Sequence, residues 1–146
     1  MNKCWLLIQC MLLIVYHASS AEGGNITLTV NITGGKPNTG IAILSLFASA
    51  ENFLKQPIQK ASKPIGKHGK AVFIIHSLER GTYAISVVYD EDNNGKLNTG
   101  FLGIPTERVG FSNNAMSIFG PPSFDKAAFE VNDSSELNIQ LKQARE

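Results

Sequence analysis

The chain predicts an all-β fold, a single antiparallel β-sandwich of about seven strands with one long irregular loop segment. Three observations predict it. Short β-branched and aromatic runs alternate apolar and polar residues with period 2. Turns rich in Gly, Asn and Pro separate them at fairly even intervals, and no stretch shows the 3.6-residue period of a long helix. At 146 residues the length suits one domain whose core is large enough to stand without covalent staples.

The first residues read as a secretory leader. Lys3 supplies the positive start, Trp5 to Tyr16 is almost wholly apolar, and Ala18-Ser19-Ser20-Ala21 offers small residues for cleavage after Ala21. The apolar run is too short for a comfortable membrane span, and no later stretch approaches that length. The expected division is therefore a signal peptide over 1–21 and a sandwich over 22–146. Both cysteines, Cys4 and Cys10, fall in the leader, so the mature chain holds no disulfide and no thiolate metal site. Losing Lys3 takes Lys+Arg from 13 to 12, equal to the 12 acidic residues. A neutral balance gives no reason to expect nucleic acid or an anionic membrane as partner. Export without cysteine points to the periplasm or the cell surface of a bacterium.

The strands follow in order. Asn25 to Thr33 places Ile26, Leu28, Val30 and Ile32 on one face and Thr27, Thr29, Asn31 and Thr33 on the other. Gly34-Gly35-Lys36-Pro37-Asn38 ends it. Gly40 to Ala48 is apolar on both parities, as a central strand would be. Ala50 to Gln56 is expected to form a turn of helix anchored by Phe53 and Leu54 and ended by Pro57. Gln59 to Lys70, with four lysines and His68, reads as a solvated loop, with an anion-binding patch as its alternative. Ala71 to Ile75 and Tyr83 to Asp90 are strands joined by His76 to Gly81, and Ala127 to Val131 and Glu136 to Lys142 close the set. Asn25, Asn31 and Asn132 open glycosylation sequons, which matter only in a eukaryotic secretory pathway.

Asp90 to Phe124 breaks the even spacing. It is expected to form one end of the molecule, because a long irregular segment in a compact domain is usually functional or ion-ordered. His76-Ser77-Leu78-Glu79-Arg80-Gly81-Thr82-Tyr83-Ala84-Ile85 resembles the Leu-x-x-Gly-x-Tyr turn of prealbumin-like and Cna-B-like (immunoglobulin-like) sandwiches. Four further stretches, Tyr89 to Gly100, Leu102 to Glu107, Gly110 to Asn114 and Phe119 to Phe124, resemble domain-of-unknown-function family 2141 of secreted bacterial proteins. The resemblance spans nearly all of the mature chain and implies a small exported β-sandwich with no assigned activity. Two departures stand out: Tyr89 replaces an expected histidine, and Asn98 and Gly100 replace an aspartate and an asparagine.

Asp90, Asp92, Asn94 and Gly95 have the spacing of positions 1, 3, 5 and 6 of an EF-hand loop, with the Lys96 carbonyl at 7 and Asn98 at 9. Position 12 is Phe101, and the entering segment is a strand, so an EF-hand is excluded. Two readings remain. The loop holds Ca²⁺ with these oxygens, Glu107 or a carbonyl completing the shell, at an affinity of roughly 10⁻⁴ to 10⁻³ M. Alternatively, Asx-turns and a glycine cap a hairpin in water. A second candidate surface is Phe101, Phe111, Asn113, Asn114, Phe119 and Phe124, since rings beside amides hold sugars or peptides; the alternative is that the rings cover one end of the sandwich. Its partner would be a small molecule, a glycan or an envelope protein. No catalytic motif occurs, so the expected function is a non-enzymatic binding or envelope-accessory module; the alternatives are a small-molecule hydrolase built from His76 and carboxylates near the loop, and a purely structural envelope component.

Overall fold

The computed structural model describes residues 25–143. The leader expected over 1–21, with Cys4 and Cys10, lies outside the described residues. In β1 (Ile26–Thr33) the alternation is realised: Ile26, Leu28, Val30 and Ile32 are buried and the Thr and Asn residues between them half-exposed. β1 is the centre of a three-stranded sheet. β4 (Ala71–Leu78) flanks it antiparallel and β8 (Ser135–Gln140) parallel. β2 (Ile41–Phe47) lies inside the second sheet, between β3 (Gln59–Pro64) and β5 (Gly81–Asp90). β6 (Val109–Phe111) and β7 (Phe129–Val131) both pair with β5. The all-β sandwich is as expected, with eight strands among the described residues. Its one parallel pair arises because residues 132–134 carry the chain from β7 in one sheet to β8 in the other, where no hairpin reversal applies.

Three local expectations are corrected. Gln59 to Pro64 is a strand, although Gln59 to Lys70 reads as a loop. It is an exposed sheet edge, paired only with β2, so no face of it needs apolar residues, and its lysines guard against edge-to-edge pairing. Ala50 to Gln56 forms hydrogen-bonded turns rather than a helix. Phe53 alone anchors it, since Leu54 takes φ 59° and is 40 % exposed. The segment 90–124 is not one end of the molecule, because β6 divides it. β6 and β7 lie in succession on the same edge of β5, Phe111 opposite Ser86 and Phe129 opposite Tyr83. Residues 112–128 are thus an excursion from an interrupted edge strand, while residues 91–108 lie at the end where β5 finishes.

The main core packs the inner faces of both sheets, with Val30, Ile32, Leu44, Ile85, Val87 and Ile139 fully buried. Each such side chain contributes about 1.5–3 kcal/mol. A smaller cluster, Phe47, Phe53, Phe111 and Ala127, lies under the excursion. The sheets close on one side where Val109 and Lys142 exchange backbone bonds at 2.9 Å. Gly110 permits this approach, since a Cβ there would stand 2.6 Å from Ile139 Cγ2. Where the chain crosses from β4 to β5, the Tyr83 hydroxyl donates to the Glu79 carbonyl at 3.0 Å, a tyrosine corner. Among the described residues no helix is long and apolar enough to cross a membrane.

Candidate functional site

The site begins where β5 ends. Tyr89 is fully buried, and its hydroxyl donates to the Thr39 carbonyl at 2.9 Å and accepts the Lys36 N–H at 3.1 Å, fixing the neighbouring turn. Asp90 follows, only 2 % exposed. Its two carboxylate oxygens accept the backbone N–H groups of Asn94 at 3.0 Å and Gly95 at 2.8 Å, which bends the chain back at once. Asn94 Oδ1 accepts the Lys96 N–H at 2.8 Å, a second Asx-turn inside the first. From across the loop Glu107, also buried, accepts the N–H of Glu91 at 2.9 Å and of Asn98 at 2.8 Å. Backbone donors hold both buried carboxylates in place, and these are charge-assisted bonds of the stronger kind.

This folding brings Asp90, Asp92 and Glu107 together, with one oxygen of each lying within 4.8 Å of the others. Among the described residues no lysine or arginine pairs with any of the three. Lys36 pairs with Glu91, and Arg108 donates to the Gly34 carbonyl at 2.8 Å. Like charges this close repel, and at the exposed Asp92 solvent screens much of that repulsion. Amide donors offset part of this. Asn94 and Asn98 each direct Nδ2 at Asp92 Oδ2, both at 2.9 Å. The Asn98 amide above all, with Asn94 adding to it, holds the Asp92 carboxyl below its ordinary value. The cluster borders a polar depression of about 370 Å³ lined also by Lys36, Thr106, Arg108 and Gln143.

The model of one protein family, described as an uncharacterised protein conserved in bacteria (DUF2141), matches residues 30–140. The chain belongs to that family. No curated protein and no solved structure matches it.

Of the five ligands expected in this DUF2141 chain, Asp90 and Asp92 converge, and Glu107 joins them. The Asn94 and Asn98 side-chain oxygens each accept one hydrogen bond inside the loop. Asn94 Oδ1 is taken by Lys96, and Asn98 Oδ1 accepts from Asn94 Nδ2 at 2.7 Å. Lys96 enters the loop through its N–H. The DUF2141 residues expected to form a ring-and-amide surface are divided. Phe111 is buried, and Phe124 packs edge-on against Phe53 with ring centres 5.8 Å apart. Asn113 Nδ2 donates to the Ala128 carbonyl at 2.7 Å, and Asn114 Oδ1 accepts the Gln140 N–H at 2.8 Å, so both amides stitch the excursion to the body. Phe101 and Phe119 remain exposed.

His76 lies at the far end of the sandwich, 3.4 Å from Thr27 Oγ1. The ten residues of β5 separate that end from the loop by about 30 Å. Lys36, Thr106, Arg108 and Gln143 are the lining residues that sequence reasoning missed. They come from three distant segments and carry no motif that could have grouped them.

Proposed function

We propose that this DUF2141 protein is an exported, non-enzymatic binding module of the prealbumin-like sandwich type, its loop end stiffened by calcium. The convergence of Asp90, Asp92 and Glu107 without a basic partner among the described residues carries the reading. Oxygen-only donors converging from one loop suit a hard ion such as Ca²⁺. Glu107 supplies the third carboxylate that the loop itself lacks. A bound ion would fix the Asp92 turn against the Glu107 leg and hold the neighbouring surface ready for a small molecule, a glycan or an envelope protein in the periplasm or at the cell surface. A hydrolase using His76 with the loop carboxylates has little support, because the two stand at opposite ends.

Thermal melting in chelator and in millimolar calcium tests the ion. The melting temperature rises with calcium, and the rise is lost in Asp92→Asn, whose side chain is exposed and whose loss leaves the fold intact. A melting temperature indifferent to calcium removes the ion from the reading and leaves the Asx-turn loop alone.

A further inference from the structure

The nearly balanced composition, formally +1 over the full chain, conceals a segregation of charge. Segments 34–40, 65–70, 91–108 and 141–143 share one end of the sandwich. Gly35 N–H bonds the Gly69 carbonyl at 3.1 Å, Arg108 the Gly34 carbonyl at 2.8 Å, and Gln143 the Thr106 carbonyl at 3.1 Å. This end carries six cations, Lys36, Lys67, Lys70, Lys96, Arg108 and Lys142, of which Lys36 is paired with Glu91. Against them stand Asp90, Glu91, Asp92 and Glu107, of which Asp90 and Glu107 are buried. The opposite end reverses the balance, with six carboxylates against three cations over 49–58, 79–80 and 124–136.

From the basic end projects a short hairpin. Thr99 and Pro105 form a bridge, Gly100 N–H bonds the Ile104 carbonyl at 2.7 Å, and Asn98 and Thr106 tie the base. At its tip Phe101 is 82 % and Leu102 79 % exposed. Leu102 takes φ 61°, a conformation that bulky residues adopt rarely and that clusters at functional sites. The exposed tip stands on a hydrogen-bonded base, with Lys96 in the loop that leads into it and Arg108 two residues beyond that base.

We propose that this end docks on the surface of an anionic phospholipid bilayer, with Phe101 and Leu102 entering the headgroup boundary and the surrounding cations facing lipid phosphate. Peripheral attachment needs two signals, apolar insertion and a basic patch, and both occur here at one end of one domain. A partner protein's pocket would take the same tip but would not call for the wider basic collar. The docking does not require calcium, so its test is run in chelator and its failure is separate from failure of the ion reading.

The purified protein is sedimented with vesicles of phosphatidylcholine alone and of equal parts phosphatidylcholine and phosphatidylglycerol. It pellets with the mixed vesicles and not with the neutral ones. Phe101→Ser with Leu102→Ser weakens binding by about tenfold or more at an unchanged melting temperature. Lys67→Gln and Lys70→Gln each weaken it about fivefold. Leu102→Trp reports insertion as a blue shift of its emission. No pelleting, equal pelleting with both vesicles, or parent-like binding by the double serine variant overturns the proposal.

Discussion

The Glu107 carboxylate accepts the backbone N–H of Asn98 at 2.8 Å, tying two residues nine positions apart into one loop. Its other oxygen holds Glu91 on the opposite leg. A single buried side chain therefore closes the segment that leads into the exposed hairpin.

Glu107→Ala leaves both part-buried N–H groups without their side-chain acceptor, at a cost of about 1–3 kcal/mol. Melting in chelator should fall by about 10 °C in a domain of this size. Hydrogen exchange at Glu91 and Asn98 should accelerate while Val87, inside β5, keeps its protection. Glu107→Gln retains one acceptor oxygen and should lose less. Equal losses for the two variants would mean that charge, not hydrogen bonding, is what Glu107 supplies.

Gly110→Ala should destabilise by about 1–3 kcal/mol through overpacking. Its new methyl would meet Ile139 Cγ2 at 2.6 Å and the Gln140 carbonyl at 3.2 Å, where β6 closes on β8. Equilibrium unfolding in urea measures it, and a parent-like midpoint would show that the two sheets can part there freely.

Tyr83→Phe removes the bond to the Glu79 carbonyl, a loss of about 1 kcal/mol. The hydroxyl's pKa is raised above 10.0, first by burial and then by the Glu79 charge. A raised value means that the folded state holds the proton more tightly. The contribution is complete below pH 10.0 and is lost as pH rises through the higher folded value. Alkaline melting curves should therefore be flatter for Tyr83→Phe than for the parent between those limits.

The strands were legible wherever burial imposed a period. β1 shows the reason plainly: one sheet face against the core forces Ile26, Leu28, Val30 and Ile32 onto alternate positions. β3 was illegible for the converse reason, since an edge strand with no buried face carries no apolar signature. The split between the 91–108 loop and the 112–128 excursion was hidden as well. β6 is three residues long and is defined by its pairing with β5, a long-range fact that periodicity does not report. At the site, the Asp-x-Asp-x-Asn-Gly spacing is legible because turn chemistry is local, whereas Glu107, open in the sequence to replacement by a backbone carbonyl, reaches the turn from 16 residues past Glu91. The engagement of the Asn94 and Asn98 oxygens inside the loop is not legible, because side-chain direction depends on the fold around it.

Asn98 offers the sharpest test of the ion reading. Its amide is the largest cause of the lowered Asp92 pKa, and the stretch it sits in resembles a family pattern with aspartate at this position. A lowered carboxyl pKa stabilises the fold above the ordinary value of 3.8 and loses that effect as pH falls through the folded value. Asn98→Asp replaces the donor with a fourth carboxylate. In chelator, Asp92 should then titrate higher than in the parent, followed by carboxyl carbon resonances, and melting at neutral pH should fall. In calcium the sign reverses. An added carboxylate raises the charge that the ion meets, and affinity should increase by about tenfold. Melting of Asn98→Asp should therefore depend on calcium more steeply than melting of the parent. Should Asn98→Asp lose stability equally in chelator and in calcium, the three converging carboxylates are a hydrogen-bonded turn and not an ion site.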